Sequence, residues 1–169
     1  MDVSQVYNTA QEAQQQWMRL SLAKRLAFMK RLRMLIADQC EELSRQLYLA
    51  TGKPKFEALT AEVLTVVDTI RYWEKRAVRL LRPQNMSTPF LLFGRRSRVD
   101  YAPRGVVLVI APWNFPFQLS LIPVLAAVLA GNAVVLKPSE VTASLDPMLA
   151  ELFVQSGFPK GLVQVISGD

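Results

Sequence analysis

Two short stretches hold most of the side chains in this sequence that could take part in chemistry. Ala111-Pro112-Trp113-Asn114-Phe115-Pro116 places one uncharged amide between aromatic rings and two prolines. Lys137-Pro138-Ser139-Glu140 sets a cation and a carboxylate three residues apart, with a proline stiffening the turn. The Asn114 amide offers two N–H donors without a charge, which suits an oxygen that becomes negative during a reaction, as in an oxyanion hole. A Glu140 carboxylate can accept from both hydroxyls of a ribose, while a Lys137 ammonium can donate to the sugar or to a phosphate. Trp113 could form an apolar wall beside them. Plainer readings exist for each. Asn114 could hold a turn, Trp113 could fill core, and Lys137 with Glu140 could be a surface pair contributing under about 1 kcal/mol. Residue types alone leave both readings open.

Other chemistries are closed off by what the chain lacks. It contains no histidine, so no Ser-His or Cys-His nucleophile pair and no His-ligated metal site arises within its 169 residues. Cys40 is the single cysteine, which rules out an internal disulfide or a thiolate metal cluster. Its neighbours Asp38, Glu41 and Glu42 disfavour the thiolate, so Cys40 reads as structural. The net charge of +6 is spread over several segments, with neither a dense basic stripe nor an aromatic stacking platform. No nucleic-acid partner is expected. The start, Ser4 to Gln16, is polar and weakly charged and does not read as a signal peptide. Residues 119–136 imitate a membrane span, yet the uninterrupted apolar part is only Leu121 to Ala130, with Pro123 inside it. Gly131-Asn132 then interrupts it well short of the ~20 residues that a span needs. The expectation is a soluble, cytoplasmic protein with no membrane partner.

The elements around the two stretches follow from periodicity. Ser21 is a good helix N-cap, and Leu22, Leu26, Met29, Leu32 and Ile36 recur at helical spacing behind it. Leu43 and Leu47 continue that pattern to Gly52-Lys53-Pro54, a stop signal. A second long helix fits Val63, Val66, Ile70, Trp73, Ala77 and Leu80 or Leu81 on one stripe, with arginines and lysines on its other faces. Residues 83–97 lose periodicity, and 96–101 alternate like an exposed or edge strand. From Gly105 the pattern changes to a strand at Val106–Ile110, a helix over 118–130, and a strand at Ala133–Leu136. A helix over 143–156 and a strand at Leu162–Ile166 come next.

Strand, helix, strand, helix, strand with short connectors means parallel strands joined by right-handed crossovers. Strands this apolar should be covered on both faces. The fold class is therefore α/β: N-terminal helices over 1–95, an edge strand or linker over 96–104, and the first part of a doubly wound, Rossmann-like parallel sheet over 105–169. Three strands with half of their helices make an unfinished sheet, so the chain is expected to be the front part of a larger fold. Ligands of open parallel sheets bind outside the carboxyl ends of the strands, and the two chemical stretches are the connectors at those ends. Neither carries the G-x-G-x-x-G that lets a backbone approach a pyrophosphate.

"PRGVVLVIAPWNFPFQLSLIPVLAAVLAGNAVVLKPSE", residues 103 to 140, resembles the first cofactor-binding stretch of the aldehyde dehydrogenase superfamily. "TGKPKFEA", residues 51 to 58, is similar to a further segment of that family upstream, and the helical start is similar too. The text around "WNFPF" resembles the class 3 and coniferyl-aldehyde branch. The resemblance implies that Asn114 helps stabilise a thiohemiacetal oxyanion, and that Ile110, Ala111, Pro112 and Trp113 line the cofactor. It implies that Lys137 and Glu140 contact the adenosine ribose of NAD, with NADP tolerated, while Pro138 and Ser139 shape the turn. The implied substrate is a small-molecule aldehyde oxidised to a carboxylic acid, and the complete enzyme is expected to be a homo-oligomer, a dimer. The family's nucleophilic cysteine, glutamate base and glycine-containing phosphate loop match nothing in this sequence. Cys40 lies in the helical part and does not match the nucleophile. Residues 1–169 alone are thus expected to be inactive, the catalytic domain being absent. The competing expectation is a non-catalytic adaptor or nucleotide-binding remnant of the same fold.

Overall fold

Helix α1 (Val3–Trp17) starts on Asp2, whose carboxylate accepts from the Ser4 amide, and buries Ala10, Ala13 and Trp17. The computed structural model describes residues 2–168; Met1 and Asp169, the outer ends of the expected segments 1–95 and 105–169, lie outside the described residues. Helix α2 (Leu22–Asp38) begins at Ser21, whose hydroxyl accepts from the Lys24 amide, and buries Met29, Leu32 and Ile36. The long helix expected to run to Gly52 is two helices. The backbone leaves helical geometry at Gln39, and α3 (Cys40–Thr51) begins after it. The two helices have different neighbours. Helix α2 packs on the helices over 64–80, 116–129 and 146–155, whereas α3 packs chiefly on the π-helical segment 58–63 and also on the 3-10 turn at 140–145. Gly52 then ends α3 at φ 72°, the left-handed conformation that glycine adopts at little cost.

A single turn, α4 (Lys55–Glu57), runs into a π-helix over Ala58–Val63 and then into α5 (Leu64–Leu80). Val66, Ile70 and Ala77 form the buried stripe of α5, as the spacing predicts. The aperiodic stretch after it contains a feature that periodicity did not foreshadow. Strand β1 (Gln84–Met86) pairs antiparallel with β2 (Ser97–Val99) in a two-stranded ribbon. The strand expected over 96–101 therefore belongs to this ribbon and not to the main sheet. Three polar or flexible residues, Gln84, Asn85 and Met86, carry too short a pattern to read.

The main sheet is parallel, in the order β3 (Val106–Ile110), β4 (Ala133–Lys137), β5 (Val163–Val165). Helices α6 (Pro116–Leu129) and α7 (Asp146–Gln155) make the crossovers. Two successive right-handed crossovers that advance in the same direction put both helices on one face. Helix α1 takes the other face, where Gln164 Nε2 donates to the Val6 carbonyl. Strand β4 is buried from Ala133 to Leu136, but Leu108 and Ile110 of β3 are exposed. Coverage on both faces thus holds at β4 and fails at β3. There α1 leaves an apolar groove lined by Val3, Val6, Tyr7, Val106, Leu108, Val135 and Ile166.

Helices and sheet share one core. Trp17, Met29, Leu32, Ile70, Phe117, Leu125, Leu136 and Leu149 belong to a single buried cluster. Side chains from the first two helices also bond to the turns of the sheet unit. Trp17 Nε1 donates to the Val128 carbonyl, Arg25 Nη1 to Leu129 and Arg31 Nε to Ser156.

Candidate functional site

The register pairs Ile110 with Lys137, the last residues of β3 and β4. The Ala111 amide then donates to the Lys137 carbonyl at 3.0 Å, one step beyond the strand. Both connectors therefore leave side by side at the carboxyl end of the sheet, where ligands of such sheets bind.

Along the first connector, Ile110 is 69% exposed, Ala111 is buried and Pro112 is exposed. Trp113 is 58% exposed and does not fill core. Asn114 is exposed, and no hydrogen bond among the described residues uses its side-chain amide. Its amide therefore does not hold the turn. Pro116 opens α6 at a position where its missing N–H costs nothing.

The loop is shaped instead by two residues whose spacing gave no functional signal. Lys53 Nζ donates to the Asn114 carbonyl at 2.9 Å and sits 4.0 Å from the centre of the Phe115 ring. The same ammonium is 2.6 Å from Glu62 Oε1. Glu62 Oε2 accepts from the Phe117 amide at 2.8 Å and from Gln118 at 3.4 Å, in the first turn of α6. The Lys53 and Glu62 side chains are only 9% and 0% exposed. A signal was present in Gly52-Lys53-Pro54, but it served equally well as a helix stop. Glu62 lies in the π-helix, where 3.6-residue spacing misplaces it.

At the second connector, Lys137 Nζ lies 3.1 Å from Glu140 Oε2 and 3.5 Å from the Pro138 carbonyl. Pro138 and Ser139 are buried. The Ser139 hydroxyl accepts from the Val141 amide, and its carbonyl accepts from the Thr142 amide. The turn is fixed by its own hydrogen bonds, and Glu140 projects from it into solvent. Its backbone amide, and after it the hydrogen bond and charge of Lys137, hold the Glu140 carboxyl below the usual carboxylate range. The group is an anion at neutral pH with an oxygen left to accept. Lys137 and Glu140 together could bond the hydroxyls of a ribose, with the exposed Ile110 side chain paired beside Lys137 in the register. Nothing in either connector fits the glycine-rich pyrophosphate loop.

An α/β unit with a parallel sheet and its polar connectors at the carboxyl end belongs to the Rossmann-like class, here as an incomplete domain. A profile described as "Aldehyde dehydrogenase family" matches residues 1–169, and the chain belongs to that family. It is 42% identical over 154 residues to 4,4'-diapolycopene aldehyde oxidase of Methylomonas sp., covering 90% of this chain and 29% of that protein. A putative succinate-semialdehyde dehydrogenase [NADP(+)] of Mycolicibacterium smegmatis is 37% identical, over 99% of this chain and 32% of its own length. Among solved structures, the substrate-bound state of Staphylococcus aureus AldH superposes with a TM-score of 0.90 at 29% identity. That match covers 100% of this chain and 37% of that one. A putative aldehyde dehydrogenase from Burkholderia cenocepacia gives 0.88 at 32% identity, covering 99% and 34% respectively. The chain thus spans about a third of the length of the relatives it matches. Among the described residues no helix is long and apolar enough to cross a membrane.

Proposed function

We propose that this chain is the N-terminal part of an NAD(P)-dependent aldehyde dehydrogenase, holding its oxyanion donor and one end of its cofactor. The observation that carries this reading is the exposed Asn114 side-chain amide, which makes no hydrogen bond among the described residues, beside a connector that ends in an ionised Glu140. When bound, the nicotinamide would accept hydride from the aldehyde carbon. The chain's own residues do the rest of the work assigned to them here. Asn114 donates to the oxygen that becomes negative, Glu140 accepts from ribose hydroxyls, and Lys137 steadies that carboxylate. Ile110, Ala111, Pro112 and Trp113 form the wall beside the cofactor, with Pro138 and Ser139 fixing the turn. Assignment to the class 3 and coniferyl-aldehyde branch rests on the residues around Trp113.

In the complete enzyme, Asn114→Ala should lower kcat by about 10²-fold with a smaller effect on cofactor affinity, the size expected for losing an oxyanion donor. Unchanged kcat with chemistry rate-limiting would return Asn114 to a loop residue. Residues 1–169 alone should oxidise no aldehyde, because Cys40 stands at the start of α3 and no other thiol is present. Turnover by a pure Cys40→Ser preparation of that chain would sink the reading. The second reading, an adaptor of the same fold, is favoured only if the complete protein binds NAD and still turns over no aldehyde. A cytoplasmic homodimer is part of the proposal. The exposed apolar tip Phe90, Leu91, Leu92 and Phe93 supports it, being a surface of the kind that contacts cover.

A further inference from the structure

The two charges under the Asn114 loop come from a different part of the chain. Lys53 follows the glycine that ends α3, and Glu62 lies in the π-helix Ala58–Val63. A π-helix holds more residues per turn than the α-helix and shifts the phase of the helix after it, and such segments recur at functional sites. Here the Glu62 carboxylate lies wholly inside the protein. Its two oxygens have separate duties: Oε1 binds the Lys53 ammonium, and Oε2 binds the backbone amides of Phe117 and Gln118. The ammonium in turn holds the Asn114 carbonyl and faces the Phe115 ring.

We infer that Lys53 and Glu62 are positioning residues that clamp the middle and the C-terminal end of the Pro112–Phe117 loop and thereby aim the Asn114 amide. The inference rests on reading Asn114 as the oxyanion donor. Asn114 is exposed and its side chain makes no bond of its own among the described residues, so its direction is set by its backbone. The backbone after it is held by Lys53 at the Asn114 carbonyl and by Glu62 at the first turn of α6, while the Ala111 amide on the Lys137 carbonyl fixes the strand end before it. A buried carboxylate with a 2.6 Å ammonium partner and two backbone donors is a stiff joint, because any shift leaves a charge unpaired where water does not reach. Neither group needs to touch substrate. Their contribution is geometric, and a displacement of about 1 Å at a reacting group can cost on the order of 10²-fold in rate.

The test is a double-mutant cycle in the complete enzyme. Lys53→Met alone strands the Glu62 charge, so the main variant is Lys53→Met/Glu62→Gln, which removes both charges and keeps an oxygen for the Phe117 amide. It should lower kcat about 10-fold or more while leaving the cofactor KM within about twofold. In an Asn114→Ala background the same pair of changes should cost less than about threefold, since a missing amide needs no aiming. Amide hydrogen exchange at Phe117 and Gln118 should quicken in the variant, with Val134 to Leu136 unchanged. Fully multiplicative losses with Asn114→Ala, or unchanged exchange at Phe117 and Gln118, would overturn the inference. If Asn114→Ala itself leaves kcat unaltered, the oxyanion reading fails and the rate arms with it. The exchange arm then still reports whether the pair clamps the loop, so the two failures are distinguishable.

Discussion

At the scale of residues, the proposed site divides into groups assigned to a ligand and groups that hold those groups in place. Sequence exposes the first kind better. Asn114, Lys137 and Glu140 stand beside prolines at strand ends, and a polar side chain in that setting is visible without coordinates. Lys53 and Glu62 were illegible because their role exists only in space, 61 and 55 residues from the backbone atoms they bind. Cofactor choice belongs at this scale. Glu140 is ionised, and the 2′-phosphate of NADP would meet its charge, while the nearby Lys137 ammonium softens the repulsion. NAD should be preferred and NADP accepted. Glu140→Ser should weaken NAD and improve NADP, whereas Lys137→Ala should weaken both, read as kcat/KM for each cofactor. An unchanged NADP-to-NAD ratio in Glu140→Ser would mean that the carboxylate does not face the ribose. The Glu140 carboxyl is lowered, so it stays ionised through the ordinary carboxylate range. The ratio should stay flat between about pH 7 and pH 8, where the 2′-phosphate, with a second pKa of about 6, is also fully charged.

At the scale of elements, the helix–strand grammar after Gly105 was legible because period and length agree there. Each of the three strands and both crossover helices appears within a few residues of its expected bounds. The failures have physical causes. The α2–α3 break falls at Gln39, where the backbone leaves helical geometry between two helices with different neighbours, and the π-helix alters a period that spacing arguments assume. The turn from α6 to β4 has its own logic, remote from the carboxyl ends of the strands. Asn132 Oδ1 accepts from the Arg104 and Gly105 amides, tying the entrance of β3 to that of β4. Gly131 sits at φ 100°, and a Cβ there would come within 2.7 Å of Arg25 Nη1, which is bonded to the Leu129 carbonyl. Gly131→Ala should therefore cost about 1–3 kcal/mol, from backbone strain and a displaced guanidinium. Urea unfolding measures it. A loss below about 0.5 kcal/mol, the range of ordinary surface changes, would show that this turn relaxes freely.

At the scale of the whole molecule, the division into a helical segment over 1–95 and a sheet unit over 105–169 follows a change in sequence grammar, and the packing crosses it. The face of the sheet unit formed by α6 and α7 is roofed by α2, and its opposite face is partly roofed by α1. Without the helices, the Val128, Leu129, Gly131 and Ser156 carbonyls would lose the Trp17, Arg25, Gln14 and Arg31 donors that now satisfy them. Buried carbonyls and apolar surface would be uncovered together, which ties the stability of one segment to the other. The expected result is one unfolding transition for residues 1–169, with far-ultraviolet circular dichroism and tryptophan fluorescence coinciding through the urea titration. Trp17 and Trp73 report the helical segment and Trp113 the loop at the sheet, so single-tryptophan variants separate the two. Residues 105–169 expressed alone should give no cooperative transition. Resolved midpoints for Trp17 and Trp113, or a folded 105–169 segment, would establish two independent units and return the division to the place where the sequence grammar changes.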